Sequence, residues 1–387
     1  MNMPPDSKSV LILNRVFPPT FGATGRMACD LALYLRKAGY KITVITTSSQ
    51  TKTDSAKHLD VIRLEANPHP QTAFDYYKIL KMMKKRAKKL PRHDIVISMT
   101  DPPMLALAGD AIAKKMEARH VHWSMDIYPD LLPVMGRSIP SWIYKYYDKK
   151  MHKVLKKACA IVPISKCMAR YMAHRSLPRH KMYVIENWPD RYLFEKDQED
   201  IQSLFDNDKF RILYAGTIGL SHDFSSVLKA AKYLQTHNPE IEFVFTSYGK
   251  GKDDFQTKIK EMGLNNIRLI QHQSAKKIDA LMATGDIHLV TMKPEAAGRL
   301  FPSKFYSALA AGRPVLYIGP DECDIHSMIE KYGLGSSVRN GDTHSLVKSI
   351  LRYLNDPDAW FTASKNGPKF LHNHTPLQEW EDLIKTL

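Results

Sequence analysis

A phosphate needs charged hydrogen-bond donors and free backbone N–H groups, and one stretch of the chain supplies both types together. It reads Arg299-Leu-Phe-Pro-Ser-Lys-Phe-Tyr-Ser-Ala-Leu-Ala-Ala-Gly-Arg-Pro-Val-Leu-Tyr-Ile-Gly319. Pro302 and Ser303 fit a helix start, with Ser303 as a candidate N-cap. Gly312 suits the helix end, and Val315 to Ile318 is a short apolar run of the kind found in buried parallel strands. A helix start carries partial positive charge, and Lys304 and Arg299 add full charges beside it. The same pattern is also what an ordinary helix–strand unit with a capping serine would show. A second candidate lies in Phe17-Pro-Pro-Thr-Phe-Gly-Ala-Thr-Gly25. There Gly22 and Gly25 either let backbone N–H groups approach a diphosphate or an acceptor, or serve a tight turn. Their spacing is not GxGxxG, which disfavours a dinucleotide.

These groups need strands and helices to hold them. Val10 to Leu13 predicts a buried strand, Met27 to Arg36 a helix closed near Gly39, and Lys41 to Thr46 the next strand. Asp94 to Ser98, His120 to Trp123 and Ala160 to Ile164 continue the rhythm, with a helix near Leu105 to Met116. The rhythm restarts at Arg211 to Tyr214, followed by Ala-Gly-Thr-Ile-Gly219 and a helix from about Phe224 to Leu234. Further strands are expected at Ile241 to Thr246, Ile267 to Ile270, Ile287 to Val290 and Val315 to Ile318. Alternation of this kind means parallel sheets covered by helices on both faces, and 387 residues exceed one comfortable core. We expect residues 1–190 as an N-terminal domain, 191–370 as a C-terminal domain, and 371–387 as a helix crossing back. The linker is placed near Asp190 to Asp208.

The charge is uneven. Met1 to Asp190 hold 32 Lys+Arg against 15 Asp+Glu, whereas Arg191 to Leu387 hold 24 against 25. A basic half beside a neutral half argues for two surfaces with different partners. No run of 18 or more apolar residues occurs, and the polar start leads straight into a strand, so neither a spanning helix nor a secretory signal is expected. The four cysteines have no metal spacing and are expected to be reduced thiols of the cytosol; no metal site is expected.

The segment from Arg299 resembles the donor-site helix of family 4 glycosyltransferases, where a Pro-Ser-Lys start and an Ala-Ala-Gly-Arg-Pro-Val end are common. The resemblance extends over nearly the whole chain and is closest to bacterial enzymes of surface polysaccharides such as O-antigen and colanic acid. It implies the GT-B arrangement: an α/β fold with two doubly wound Rossmann-like domains facing across a cleft. It also implies that Asp126, in His120-Val-His-Trp-Ser-Met-Asp-Ile-Tyr-Pro-Asp130, lines the cleft near the anomeric carbon. A carboxylate there can orient the sugar or accept the acceptor's proton, or it can cap the turn before Pro129. His122 is a weaker catalytic candidate, and strand alternation should turn it to the same face as Ser124. By resemblance Gly216 and Thr217 sit under the diphosphate, where relatives carry an Arg and a Lys; here those places read Thr217 and His222. Ser307 replaces a Glu that grips the ribose in relatives, and Arg299 stands eight residues earlier in place of a second Glu. Glu295, in the loop before Arg299, is a candidate for facing the donor sugar. Tyr248 and Gln273 fall at strand ends that border the nucleotide.

Tyr76 to Arg92 carry eight Lys/Arg and no acid, with apolar residues at helical spacing. Ser141 to Lys157 repeat the theme with aromatics and six lysines. Lys81, Lys84, Lys85, Lys88, Lys89, Trp142, Lys149 and Lys153 are expected to face an anionic membrane, at about 1 kcal/mol per basic residue near the surface. No recognised nucleic-acid motif is present, so nucleic acid is not an expected partner. The combined expectation is a retaining, metal-independent hexosyltransferase with no cofactor. It would be cytoplasmic and bound peripherally to the inner face of the membrane. It would move a sugar from a nucleotide-sugar, a UDP-sugar first, to a lipid-linked or glycan acceptor. A GT-B epimerase and a non-catalytic sugar-nucleotide or glycan-binding relative are the alternatives.

Overall fold

The computed structural model describes residues 7–20, 22–49, 52–54, 59–67, 70, 72–189, 205, 207–246, 249–271 and 275–387. Thirteen strands in it form two sheets. The first contains β1 (Ser9–Leu13), β2 (Lys41–Ser48), β3 (Lys52–Asp54), β4 (Asp60–Glu65), β5 (Ile95–Ser98), β6 (Arg119–Ser124) and β7 (Ala160–Pro163). Its order is β3-β4-β2-β1-β5-β6-β7, all parallel except the short antiparallel edge strand β3. The second contains β8 (Phe210–Tyr214), β9 (Ile241–Thr246), β10 (Ile267–Ile270), β11 (Ile287–Thr291), β12 (Val315–Ile318) and β13 (Gly335–Val338). It is parallel throughout, in the order β10-β9-β8-β11-β12-β13.

Helices cover both faces of each sheet. In the first half they are α1 (Ala23–Lys37), α2 (Ala73–Ala87), α3 (Leu105–Met116), α4 (Leu131–Val134), α5 (Ser141–Lys157) and α6 (Lys166–His174). In the second they are α7 (Ser225–His237), α8 (Lys252–Glu261), α9 (Ala275–Thr284), α10 (Lys304–Ala310), α11 (Asp324–Tyr332), α12 (Thr343–Asn355), α13 (Pro357–His372) and α14 (Pro376–Thr386). The β1 run Val10 to Leu13 is fully buried, as two-sided burial requires. A capping box starts α2: Thr72 Oγ1 accepts from Asp75 N while the Asp75 carboxylate accepts from Thr72 N.

Some boundaries differ from the sequence expectation. The first helix begins at Ala23, not Met27, because Gly25 lets its first turn pack on the chain just after β1: a Cβ there would lie 2.8 Å from Val16 O. The basic run to Arg92 outlasts its helix, which ends at Ala87. Strand β4 was not anticipated. Its sequence Asp-Val-Ile-Arg-Leu-Glu carries Arg63 in the middle, yet Arg63 is buried and donates to Pro18 O at 2.6 Å. The expected linker around Asp190 lies largely outside the described residues.

Both sheets reverse strand order at one place, between β1 and β5 and between β8 and β11. Ligands of open α/β sheets bind in the crevice outside the carboxyl ends of strands at such a switch point. The two halves are stitched beside these points. Ile127 N donates to Arg299 O at 2.8 Å, and Cys167 N donates to the Asp324 carboxylate at 2.9 Å. Gly298 (φ 70°) brings its backbone close to α6, where a Cβ would sit 3.0 Å from Cys167 O. The last helix lies on the first half: Lys8 Nζ donates to Ile384 O and Lys385 O, and Trp380 packs on Trp123 with ring centroids 4.8 Å apart. One apolar core therefore runs from Val10 through Trp123 to Tyr306 and Trp380.

Candidate active site

Asp126 stands two residues past β6, in the turn whose next residue, Ile127, is bonded to Arg299. It is partly accessible, and its carboxylate has no hydrogen-bond or ion-pair partner among the described residues. Burial pushes its pKa up to about 7, and the neighbouring Asp101 adds to the rise. Asp101 lies beyond β5 and is gripped by Arg15, with Nε to Oδ1 at 2.6 Å and Nη2 to Oδ2 at 2.9 Å. Desolvation still outweighs that cation and holds Asp101 above the ordinary carboxylate range. The charge on Asp101 disfavours ionisation of Asp126, in the same direction as burial.

His122 lies in the strand below. Ser98 Oγ sits 2.8 Å from His120 Nε2 and 3.1 Å from His122 Nδ1, so one hydroxyl bridges both rings. Burial drives His120 down to about 4 and His122 to about 3. Both are neutral at working pH, so His122 is not a cationic acid. A cavity of about 10 Å³, room for roughly one water, touches His122, Ser124 and Asp126.

Across the cleft, Lys304 opens α10. Gly216 (φ 148°) leaves the space its chain occupies: a Cβ on Gly216 would fall 2.0 Å from Lys304 Cε. Lys304 Nζ lies 4.9 Å from the Tyr214 ring centroid. Burial alone depresses Lys304 to about 8. Gly216 is fixed by Thr246, whose Oγ1 accepts from Gly216 N at 2.7 Å and donates to Gly216 O at 2.8 Å. Thr217 is exposed and its carbonyl accepts from Tyr214 Oη at 2.7 Å. A glycine at 216 under a lysine at 304 is a contact that no local sequence pattern reveals.

Ser303 occupies the N-cap position, but with helical backbone angles and no side-chain capping bond. His222 cannot stand in for a cation: Nδ1 donates to Thr291 O at 2.6 Å, and burial with the nearby Lys304 charge lowers it to about 3. Arg299 is turned to the first half. Its Nε donates to Tyr171 Oη at 3.1 Å, its guanidinium lies over the Tyr171 ring, and Nη1 donates to Glu295 O. Tyr171 Oη in turn donates to Asp130 at 2.7 Å, and Arg175 pairs with the same carboxylate. Glu295 is exposed on a short turn after β11. Ser307 is half-buried one turn past Lys304. Gly22 and Gly25 both have ordinary backbone angles and serve close packing on Val16, not a left-handed turn. Tyr248 and Gln273 lie outside the described residues. Asp101 lies three residues past β5, in the stretch Ser98 to Met104 that resembles the family's centre, and Arg15, Tyr128 and Arg137 have no sequence signal of their own.

Asp126 in one domain and Lys304 in the other are both half-buried, and desolvation shifts each toward its neutral form. The family described as Glycosyltransferase Family 4 matches residues 24–191, and Glycosyl transferases group 1 matches residues 195–370. The chain belongs to the family 4 glycosyltransferases. It is 24% identical over 229 residues to the putative colanic acid biosynthesis glycosyl transferase WcaI of Escherichia coli K12, covering 57% of this chain and 56% of that protein. The match therefore spans little more than half of that relative's length. To the probable glycosyltransferase WbjE of Pseudomonas aeruginosa it is 22% identical, over 69% of this chain and 67% of that one. In fold it is similar to Anabaena HepE, solved with UDP and glucose, at a TM-score of 0.74 and 15% identity, covering 98% of this chain and 100% of that one. The fold is GT-B, two Rossmann-like domains. Among the described residues no helix is long and apolar enough to cross a membrane.

Proposed function

We propose that this glycosyltransferase moves a sugar from a nucleotide-sugar, a UDP-sugar first, to a lipid-linked acceptor during surface polysaccharide synthesis, with retention at the anomeric carbon. The names of WcaI and WbjE and the UDP held by HepE support the reaction class. The observation that carries the reading is Lys304 lying in the space left by Gly216, at the strand-order reversal of the second sheet. The bond from the anomeric carbon to the donor phosphate oxygen breaks, and its electron pair leaves with the diphosphate. A bond from the acceptor oxygen forms on the same face, and the acceptor's proton passes to the departing phosphate oxygen. Lys304 stabilises the charge on that leaving group, a role we assign to it rather than to a resident metal. Asp126 orients the transferred sugar by accepting from one of its hydroxyls. Work at the cytoplasmic face of the membrane follows from the basic first half.

Calorimetric titration with UDP, GDP and ADP tests the donor site, with Lys304→Ala alongside. Selective binding of UDP, weakened by roughly 1.5–3 kcal/mol in the variant, is expected for a lost charged hydrogen bond. Binding of none of the three would overturn the reading. Product analysis by NMR with the donor and a lipid-linked acceptor then reads retention, and transfer unaffected by EDTA is expected.

A further inference from the structure

The turn that carries Asp126 is fastened to the second domain at two points, and both lead to Arg299. At the backbone, Ile127 N donates to Arg299 O at 2.8 Å. At the side chain, Arg299 Nε donates to Tyr171 Oη at 3.1 Å, and that hydroxyl donates to Asp130 Oδ1 at 2.7 Å. Between the two anchors the chain is closed on itself. Leu131 N donates to Ile127 O at 2.9 Å and Leu132 N to Pro129 O at 3.0 Å, which carries the turn into α4.

The anchor at Asp130 is built to hold. Asp130 stands at the N-cap of α4 but makes no capping bond. It is buried, and a buried carboxylate needs partners. It takes them from two helices. Tyr144 Oη of α5 donates at 3.0 Å, and Tyr171 and Arg175 of α6 supply a second hydroxyl and a cation. Helix α6 is itself tied to the second domain, where Asp324 accepts from Cys167 N and the bare backbone of Gly298 lies against Tyr171: a Cβ on Gly298 would fall 2.8 Å from Tyr171 Cβ. The Arg299 guanidinium lies 4.8 Å from the centroid of the Tyr171 ring. A cation bonded to the hydroxyl polarises it and strengthens the bond it gives to Asp130. A carboxylate at 299 would instead repel Asp130 and leave Tyr171 two acceptors for one proton.

In the other direction Arg299 leads into the donor helix. Phe301 is buried with its ring stacked on Tyr306 of α10, centroids 5.5 Å apart, and Pro302 fixes the backbone before Lys304. A stiff path therefore runs from Lys304 through Arg299 to both anchors of the Asp126 turn.

We infer that Arg299 is a positioning residue: it sets Asp126 against Lys304 across the cleft, holding Ile127 with its backbone carbonyl and Asp130 through Tyr171, and does not itself meet the donor. The inference rests on the reading of Asp126 at the transferred sugar.

Carbon-13 NMR of the full chain labelled at its aspartate carboxyls tests it, with the Asp126 signal identified by Asp126→Asn. Tyr171→Phe keeps the ring and removes only the hydroxyl; Arg299→Met keeps the carbonyl on Ile127. Each should let water reach the turn and bring Asp126 down from about 7 by roughly one unit or more. The direction is diagnostic. Loss of the Arg299 cation by itself can only raise a carboxyl, and a role confined to stability would leave the titration of the folded protein unmoved. UDP affinity, read by calorimetry, should not change in either variant. Transfer from the UDP-sugar that the product assay selects should lose roughly tenfold or more in kcat in Tyr171→Phe, with donor KM unchanged. In the Asp126→Asn background the same change should cost nothing further. Asp126 unmoved in both variants would overturn the inference, and so would additive losses in the double variant. So would a fall of roughly tenfold or more in UDP affinity in Arg299→Met, the scale of a lost charged hydrogen bond, since that would make Arg299 a donor contact. A normal transfer rate in Asp126→Asn would sink the role of Asp126 at the sugar instead, and the titration would still decide whether Arg299 holds its turn.

Discussion

Replacing Asp126 by Asn removes a charge that the fold leaves without a partner, so the variant should gain stability with rising pH while losing activity. In the folded chain burial, with Asp101 as the second cause, pushes this carboxyl up to about 7 from its ordinary value of 3.8. The folded pKa is raised. Its contribution is therefore fully present below pH 3.8 and is lost as pH rises through about 7. At 1.36 kcal/mol per unit, the full loss is at most about 4 kcal/mol. Between about pH 5 and about pH 8 the linkage relation leaves roughly 2–3 kcal/mol of it. The Asn variant escapes that loss, although its amide also lacks a partner and costs about 1–3 kcal/mol at every pH. The pH slope, not the absolute difference, thus isolates the charge. Thermal unfolding of both proteins at the two pH values reads it, at about 2–4 °C per kcal/mol for a domain of this size. Turnover of the variant should fall by roughly 10- to 100-fold, the scale of a lost charged hydrogen bond to the sugar. A stability difference that stays flat with pH would refute the desolvation argument. A transfer rate close to wild type would refute the role at the sugar.

Three further outcomes follow from the same geometry. Nucleotide binding should weaken as pH rises above about 8, where the half-buried Lys304 loses its proton, and in Lys304→Arg that decline should vanish; isothermal titration across pH reads both. Gly216→Ala should raise the KM for donor at least tenfold with the fold retained by circular dichroism, because the new Cβ would fall 2.0 Å from Lys304 Cε and the φ of 148° is strained for alanine. Trp380→Ala should destabilise the chain by about 3–5 kcal/mol, since its fully buried ring packs on Trp123, and denaturant unfolding would show it.

What was legible in the sequence is what local pattern controls. Short aliphatic runs such as Val10 to Leu13 and Val315 to Ile318 have no other use than buried parallel strands, and they stand in the two sheets. The helix expected over Ser141 to Lys157 has those same ends because Pro140 starts it and Ala158 begins the turn into β7. Hidden from the sequence were contacts between residues far apart in the chain. A cavity lies between α2, α3 and α5, and α2 and α5 alone each read as an ordinary amphipathic helix with a solvated lysine face. Arg299 carried the right charge, but the packing of Gly298 on α6 turns it to Tyr171. Ser303 has the side chain for a cap, yet its backbone is already helical, so no bond forms.

The cleft's two principal charges are shifted in opposite directions by one cause. Burial raises Asp126 to about 7 and lowers Lys304 to about 8, so before a donor arrives both groups sit near the pH at which they are half neutral. Neither is relieved by a neighbour within its own domain: Asp126 has Asp101 beside it, and Lys304 has an aromatic ring and a neutral histidine. A diphosphate beside Lys304 would restore its full charge and raise its pKa, and the same proton uptake would accompany donor binding near neutral pH. A diphosphate nearby would raise Asp126 as well, adding a smaller share of proton uptake because Lys304 is the group assigned to meet the diphosphate. Donor binding should therefore take up protons at about pH 8, and Lys304→Ala should lose most of that uptake while Asp126→Asn loses less. Calorimetry in two buffers of different ionisation enthalpy measures the proton count directly. No uptake in the wild-type protein would mean that the diphosphate does not meet Lys304.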